Sequence, residues 1–238
     1  MKFDVLNRWT GAVQFTAEIE CADDAATSVK LGLAVQWGVK NKAILDGANL
    51  NGAILYGANL NGANLDGAIL DGASLDGASL NGASLNGANL NGASLDGASL
   101  NGASLDGANL YRANLYRANL NGANFDGANL DGAILDGANL YRASLNGAIL
   151  YGASGVNDYV KCIQIDTYPI TYTADVMQIG CQRHGLTEWA NFSDAEIRAM
   201  DRTKALAWWK KYSAWIFATI ELCPAKPTQE AKTDEVTQ

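Results

Sequence analysis

Between Ala43 and Gly152 the apolar and polar positions repeat every five residues through 22 consecutive pentads, without insertion or deletion. The first position is always Ala, and the third is Leu everywhere except Phe125. The second is Asn, Ser or Ile, the fourth is Asn, Asp or Tyr, and the fifth is Gly except at Arg112, Arg117 and Arg142. A period of five matches neither the 3.6-residue helix nor the two-residue alternation of a strand. A helix would also have to absorb 19 glycines in this stretch, each costing about 1 kcal/mol relative to Ala. The pattern fits a square coil with one pentad per side: Ala and Leu point inward, the small polar residues face water, and the chain turns near each glycine. Four pentads complete a turn. The array then makes a rod of five and a half coils, about 26 Å long at the usual strand spacing of about 4.8 Å. Such coils bury a core only by stacking, so both ends need covers.

The flanks break the period. Phe3 to Arg8 and Ala12 to Glu20 read as two strands around a turn at Thr10-Gly11, a hairpin. Ser28 to Lys40 carries two patterns. Val29, Leu31, Leu33, Val35, Trp37 and Val39 alternate as in a strand, while Thr27 or Ser28 could cap a helix, which is the preferred reading. After Gly155, Lys161 to Asp166, Ile170 to Ala174 and Val176 to Gly180 read as short strands. Ser193-Asp194-Ala195-Glu196 has the spacing of a capping box and opens a helix to about Met200. A longer helix is expected over about Thr203 to Leu222, with Leu206, Trp209, Tyr212, Ile216 and Ile220 on one side. The expected organisation is an N-terminal cap over 1–42, the coil over 43–153, a small α+β domain over 154–224 and a disordered tail over 225–238.

Charge and composition narrow the function. A net charge of −8 argues against direct nucleic-acid or membrane-surface binding, which needs clustered Lys and Arg. The start of the chain lacks a signal-like apolar stretch, and the run from Ala214 to Leu222 is too short to span a bilayer. The expected location is cytoplasmic, where Cys21, Cys162, Cys181 and Cys223 would stay reduced.

The 22 pentads resemble the pentapeptide-repeat family, whose loose consensus is Ala-(Asp/Asn)-Leu-X-X. The resemblance implies an all-β-dominated chain built on a right-handed quadrilateral β-helix. The segments Arg8 to Phe15 and Cys181 to Trp209 are similar to flanks of phage- and prophage-encoded members. Some members, quinolone-resistance factors among them, act on DNA gyrase with a rod resembling duplex DNA in width and charge.

Against that background several residue groups are candidates. Asp46, Asp66, Asp106 and Asp126 fall on one side of the square and could stand in for phosphates before a DNA-binding enzyme such as gyrase. Asp and Asn could equally do no more than solvate the coil. Tyr111-Arg112, Tyr116-Arg117 and Tyr141-Arg142 break the glycine rule with residue types enriched at interface hot spots. Exposed ion pairs, Arg112 with Asp131 and Arg117 with Asp136 one coil on, are the plainer account. Trp208 and Trp209 could form a homodimer face or pack internally. Cys162, Cys181 and His184 have metal-ligating chemistry, but a single Cys-x-x-His lacks the second ligand pair of a zinc motif. No phosphate loop or nucleophile constellation is present, and no cofactor is implied. The expected protein is a bacterial or phage-encoded, non-enzymatic binder of a host protein through the solenoid surface or the C-terminal domain, the less repetitive C-terminal domain being favoured for specificity, with acidic DNA mimicry and a metal-dependent enzyme as alternatives.

Overall fold

The computed structural model describes residues 1–155, 157–165 and 167–228. In the repeat, each second-position residue bridges in parallel to the residue 20 positions later, from Asn49 with Ile69 to Ile134 with Ser154. Three backbone hydrogen bonds per pentad tie neighbouring coils. The Ile69 N–H donates back to Ala48 O (2.9 Å), while the Leu70 and Gly72 N–H groups donate forward to Asn89 O (2.6 Å) and Asn91 O (2.8 Å). A fourth closes the corner, from the Ala73 N–H to Leu70 O at 3.0 Å. In that corner turn the fifth-position residue takes positive φ, +60° at Gly72. Positive φ at the third residue of a turn is the type II pattern, in which Gly lacks the Cβ clash that other residues meet.

The inward residues form one continuous column. Every third-position side chain from Leu50 to Leu140, Phe125 included, is at most 1% exposed. The first-position Ala residues are buried beside them and leave room for the chain to pass the corner. Each interior Leu stands in line with the third-position residues 20 before and 20 after it, which are Leu except at Phe125, so burial comes from stacking.

The N-terminal end is covered by strands β1 (Lys2–Leu6) and β2 (Val13–Glu18), an antiparallel hairpin with Gly11 in its turn, and helix α1 (Thr27–Lys40). Helix wins over strand in this segment because Leu31, Ala34 and Val35 then share one face, which joins the solenoid core. Neither Thr27 nor Ser28 caps it; the cap position is Ala26, without a side-chain bond. Instead the Ser28 carbonyl accepts from the Ile54 N–H (3.0 Å) and the Leu6 carbonyl from the Asn49 N–H (2.8 Å). These carbonyls replace those of a preceding coil. The helix lies so close that a Cβ added at Gly32 would sit 1.9 Å from Ile54 O.

At the other end, strands β3 (Lys161–Ile165), β4 (Tyr168–Tyr172), β5 (Val176–Ile179) and β6 (Gln182–Gly185) form an antiparallel sheet in that order. The strand expected to reach Asp166 ends at Ile165, and Asp166 lies outside the described residues. Helices α2 (Leu186–Asn191) and α3 (Asp194–Leu222) follow. The two helices expected after Ser193 are one. The capping box forms as expected, but no Gly or Pro separates Met200 from Lys204, and the backbone stays helical. This segment has its own core, in which Tyr172, Met177, Trp189, Ile197 and Ile216 are buried.

Side-chain amides close the junction between coil and sheet. Gln178 Oε1 accepts from the Leu150 N–H (2.9 Å), and Asn157 Nδ2 donates to Leu135 O (2.9 Å). The first replaces a carbonyl of a coil that does not follow, and the second adds a donor to a carbonyl that already accepts its corner N–H from Ala138 (3.0 Å). Of the expected disordered tail, Lys226 forms an ion pair with Asp158 (2.8 Å), and the Thr228 carbonyl accepts from the Arg142 N–H. Those residues are docked on the fold; 229–238 lie outside the described residues.

Candidate interaction surface

The outward second and fourth positions obey a bonding rule set by whether the second residue is Asn or Ser. Where it is Asn, its Oδ1 accepts from the fourth-position N–H of the same pentad, as Asn64 does from Asp66 (3.0 Å) and Asn124 from Asp126 (2.9 Å). This is a local Asx turn. The repeat serines make a different bond. Except at Ser74, where Tyr56 stands 18 residues earlier, the Ser hydroxyl donates to the fourth-position Asp or Asn 18 residues earlier, whose same oxygen also takes the orphaned N–H. Thus Asp66 Oδ1 accepts from Ser84 Oγ (2.6 Å) and the Asn86 N–H (2.8 Å). Asp126 Oδ1 does the same for Ser144 Oγ (2.5 Å) and the Asn146 N–H (3.0 Å). Asn61, Asn81 and Asn86 play this part as well as Asp does.

The rule divides the carboxylates of the candidate acidic column. Asp66 and Asp126 each spend one oxygen on the next coil. Asp46 and Asp106 do not, because Asn64 and Asn124 sit 18 residues later and cap their own turns.

The three Tyr–Arg pairs keep the corner geometry without the corner residue. Arg112, Arg117 and Arg142 have φ of 55°, 53° and 58°, the left-handed conformation that costs a side chain with Cβ about 1–2 kcal/mol. Each guanidinium lies over the ring of the preceding Tyr, at 4.8, 4.8 and 5.1 Å from its centroid. The arginine stems run along the rod onto the next corner: an added Cβ at Gly132 or Gly137 would come within 3.2 Å of Cγ of Arg112 or Arg117. Among the described residues no ion pair joins Arg112 to Asp131; the Asp131 carbonyl accepts the Arg112 backbone N–H instead (2.8 Å). Arg112 and Arg117 stand at the two corners of one side, and Arg142 on the next corner one coil further along.

The remaining candidates are scattered. Trp208 is 7% exposed, so its ring belongs to the interior and does not form an outward dimer face. Trp209 is half-buried against Trp189 (5.2 Å between centroids) and Phe217 (6.1 Å). The Cys162 Sγ donates to Ala153 O (2.6 Å), and burial pushes its thiol pKa up, away from the reactive thiolate. Cys181 is exposed, and His184 packs edge-on between Trp189 and Phe192. Among the described residues no three His, Cys, Asp or Glu side chains gather as a metal site. Among the same residues no helix is long and apolar enough to cross a membrane.

Sequence reasoning missed the Tyr168–Asp201 hydrogen bond (2.5 Å) and the cavity beside it. It also missed the serine rule, whose signal lay in the Asp or Asn 18 residues before most repeat serines.

A family model described as pentapeptide repeats matches residues 43–82, 83–122 and 123–154. Among solved structures, HetL from the cyanobacterium Nostoc sp. strain PCC 7120, a pentapeptide repeat protein involved in heterocyst differentiation regulation, is 38% identical. That match covers 44% of this chain and 60% of HetL, with a TM-score of 0.26. Rfr23 from the cyanobacterium Cyanothece 51142 is 41% identical over 42% of this chain and 65% of its own, with a TM-score of 0.26. The pentapeptide repeat protein alr5209 from Nostoc PCC 7120 is 32% identical over 45% of this chain and 68% of its own, with a TM-score of 0.15. The chain thus spans less than two thirds of the first two relatives. No curated protein matches. The unbroken pentads and their four-sided coil make this chain a member of the pentapeptide-repeat family, with its right-handed quadrilateral β-helix.

Proposed function

We propose that the chain is a non-enzymatic binding protein that engages a partner protein through the Tyr–Arg corners of the solenoid. The observation that carries this reading is the left-handed backbone at Arg112, Arg117 and Arg142. Nineteen other pentads end in Gly and avoid the strain. Strained backbone persists where the surrounding structure holds it and the side chain serves a purpose. The side chains so presented are Tyr and Arg, the types most enriched at binding hot spots, pre-ordered by stacking. The test is affinity purification from the native host with wild type and the R112G/R117G/R142G variant, followed by titration of purified components. The variant should stay folded, because Gly is the ordinary corner residue, and should lose the partner. Equal affinity of the partner for both proteins would refute the surface.

A second reading is acidic mimicry of duplex DNA toward a DNA-binding enzyme such as gyrase. It is favoured by the column of Asp46, Asp66, Asp106 and Asp126 along one side of the rod, with coils about 4.8 Å apart. Asn satisfies the serine rule as well as Asp does, so changing all four to Asn removes charge without removing bonds. Mimicry requires that variant to lose a salt-sensitive association. The Tyr–Arg reading requires it to bind unchanged.

A further inference from the structure

Between the sheet and α3 lies a cavity of about 240 Å³. At about 30 Å³ per water, this is room for roughly eight non-hydrogen atoms. Four aromatic side chains line it, Tyr168, Trp189, Trp208 and Trp209, with aliphatic neighbours such as Ile179 and Ile197. Among the described lining residues Asp201 is the one carrying a full charge, and it is exposed. We propose that this cavity binds a small monocation with an apolar body, an alkylammonium or quaternary ammonium group, between the aromatic rings and the Asp201 carboxylate. The site is separate from the Tyr–Arg corners and does not depend on them.

Three observations carry this. First, the walls are braced, so the space is preformed and cannot simply collapse. The Trp189 Nε1–H donates to Met177 O (2.7 Å), the Trp189 and Trp209 rings lie 5.2 Å apart, and Tyr168 meets Trp208 edge-on at 5.1 Å. Rigid aromatic walls lower the ordering cost of binding. Second, the carboxylate is held in place. The Tyr168 hydroxyl donates to Asp201 Oδ2 at 2.5 Å, and this bond pushes the phenol pKa up to about 12, so the phenol remains a donor and the carboxylate an acceptor. Third, among the described residues no ion pair neutralises Asp201. An uncharged apolar guest would strip water from Asp201 and return nothing. A cation returns ion pairing and attraction to the ring faces. The soft cationic headgroup of an alkylammonium suits both, and its carbons suit the aliphatic wall.

The test uses the full chain and two matched probes, choline and its uncharged isostere 3,3-dimethylbutan-1-ol, followed by the indole N–H signals of Trp189 and Trp209 and by tryptophan fluorescence. Choline should give saturable shifts at these indoles and bind about tenfold more tightly than the isostere, about 1.4 kcal/mol. The D201N variant keeps an acceptor for Tyr168 and should bind choline about tenfold more weakly while its affinity for the isostere does not fall. Butylammonium should behave as choline does. Equal binding of choline and its isostere, an unchanged choline affinity in a folded D201N protein, or no saturable shift with either cation would each overturn the proposal.

Discussion

Replacing Asp66 tests the serine rule where its consequences are largest. D66A removes the one oxygen that serves both Ser84 Oγ and the Asn86 N–H. Each bond contributes about 0.5–1.5 kcal/mol. Because the site is only part-buried, water replaces some of this, and the expected loss is about 1–2 kcal/mol. For a chain of this size that lowers Tm by about 3–6 °C. D66N keeps an Oδ1 in the same place, as Asn61 does for Ser79, and should stay within about 0.5 kcal/mol of wild type. The decisive variant is the double change D66A/S84N. An amide at position 84 would cap its own turn as Asn64 does, satisfy the Asn86 N–H without help from the preceding coil, and recover part of the loss. D106A is the control, since Asn124 makes no demand on Asp106. Thermal melts with amide exchange at Asn86 give the readout. A D66A protein as stable as wild type, a D66N protein as unstable as D66A, or no recovery in D66A/S84N would refute the rule.

Other expectations follow from single contacts. G102A adds a Cβ that meets nothing within 4 Å at φ 63°, so its cost is conformational alone, about 1 kcal/mol by thermal melting. G32A drives a Cβ to 1.9 Å from Ile54 O; it should cost more than about 3 kcal/mol and expose the Ile54 amide to rapid exchange. W189F removes the Trp189 Nε1–H bond to Met177 O, whereas the buried Trp208 Nε1–H has no partner among the described residues to lose. W189F should therefore be less stable than W208F by about 0.5–1.5 kcal/mol in denaturant melts. The Tyr168 phenol, raised to about 12 by the Asp201 carboxylate, keeps its proton longer in the folded state. Its contribution to stability is complete below pH of about 10 and disappears as pH rises through about 12. Ultraviolet titration should show two tyrosines ionising late, Tyr168 and the buried Tyr172, whose phenol burial pushes up, and D201N should abolish the lag of Tyr168 alone.

The solenoid was legible because five fits no helix or strand period, and because Ala and Leu never leave their positions across 22 pentads. The helix at Thr27–Lys40 was harder. Its residues alternate as in a strand, and the choice is made by tertiary packing against the first coil at Gly32. Strand β6 and helix α2 escaped because Gln182–Gly185 carries no apolar alternation and six residues make a weak helical signal. The break expected between Met200 and Thr203 rested on a change in hydrophobic pattern, which does not stop a helix in the absence of Gly or Pro. In the candidate surface, the Tyr–Arg pairs stood out by departing from the glycine rule, but their stacking replaced the expected Arg112–Asp131 ion pair. Asp66 and Asp126 read as free charge because a bond to a serine 18 residues away becomes visible only once the coil fixes which residues stack. The cavity at Asp201 unites residues from β4, α2 and α3, and no local pattern announces it.

Deletion of residues 83–102 tests the coil most directly. Residues one coil apart pair at a separation of 20, so the cut removes a whole turn and brings Gly82 to Ala103 in register. Asp66 then takes the place of Asn86 in serving Ser104. The shortened chain should keep its far-UV spectrum, melt within a few degrees of wild type, and be shorter by about 4.8 Å in solution scattering. Loss of the folded state on removing that turn would contradict the four-sided coil.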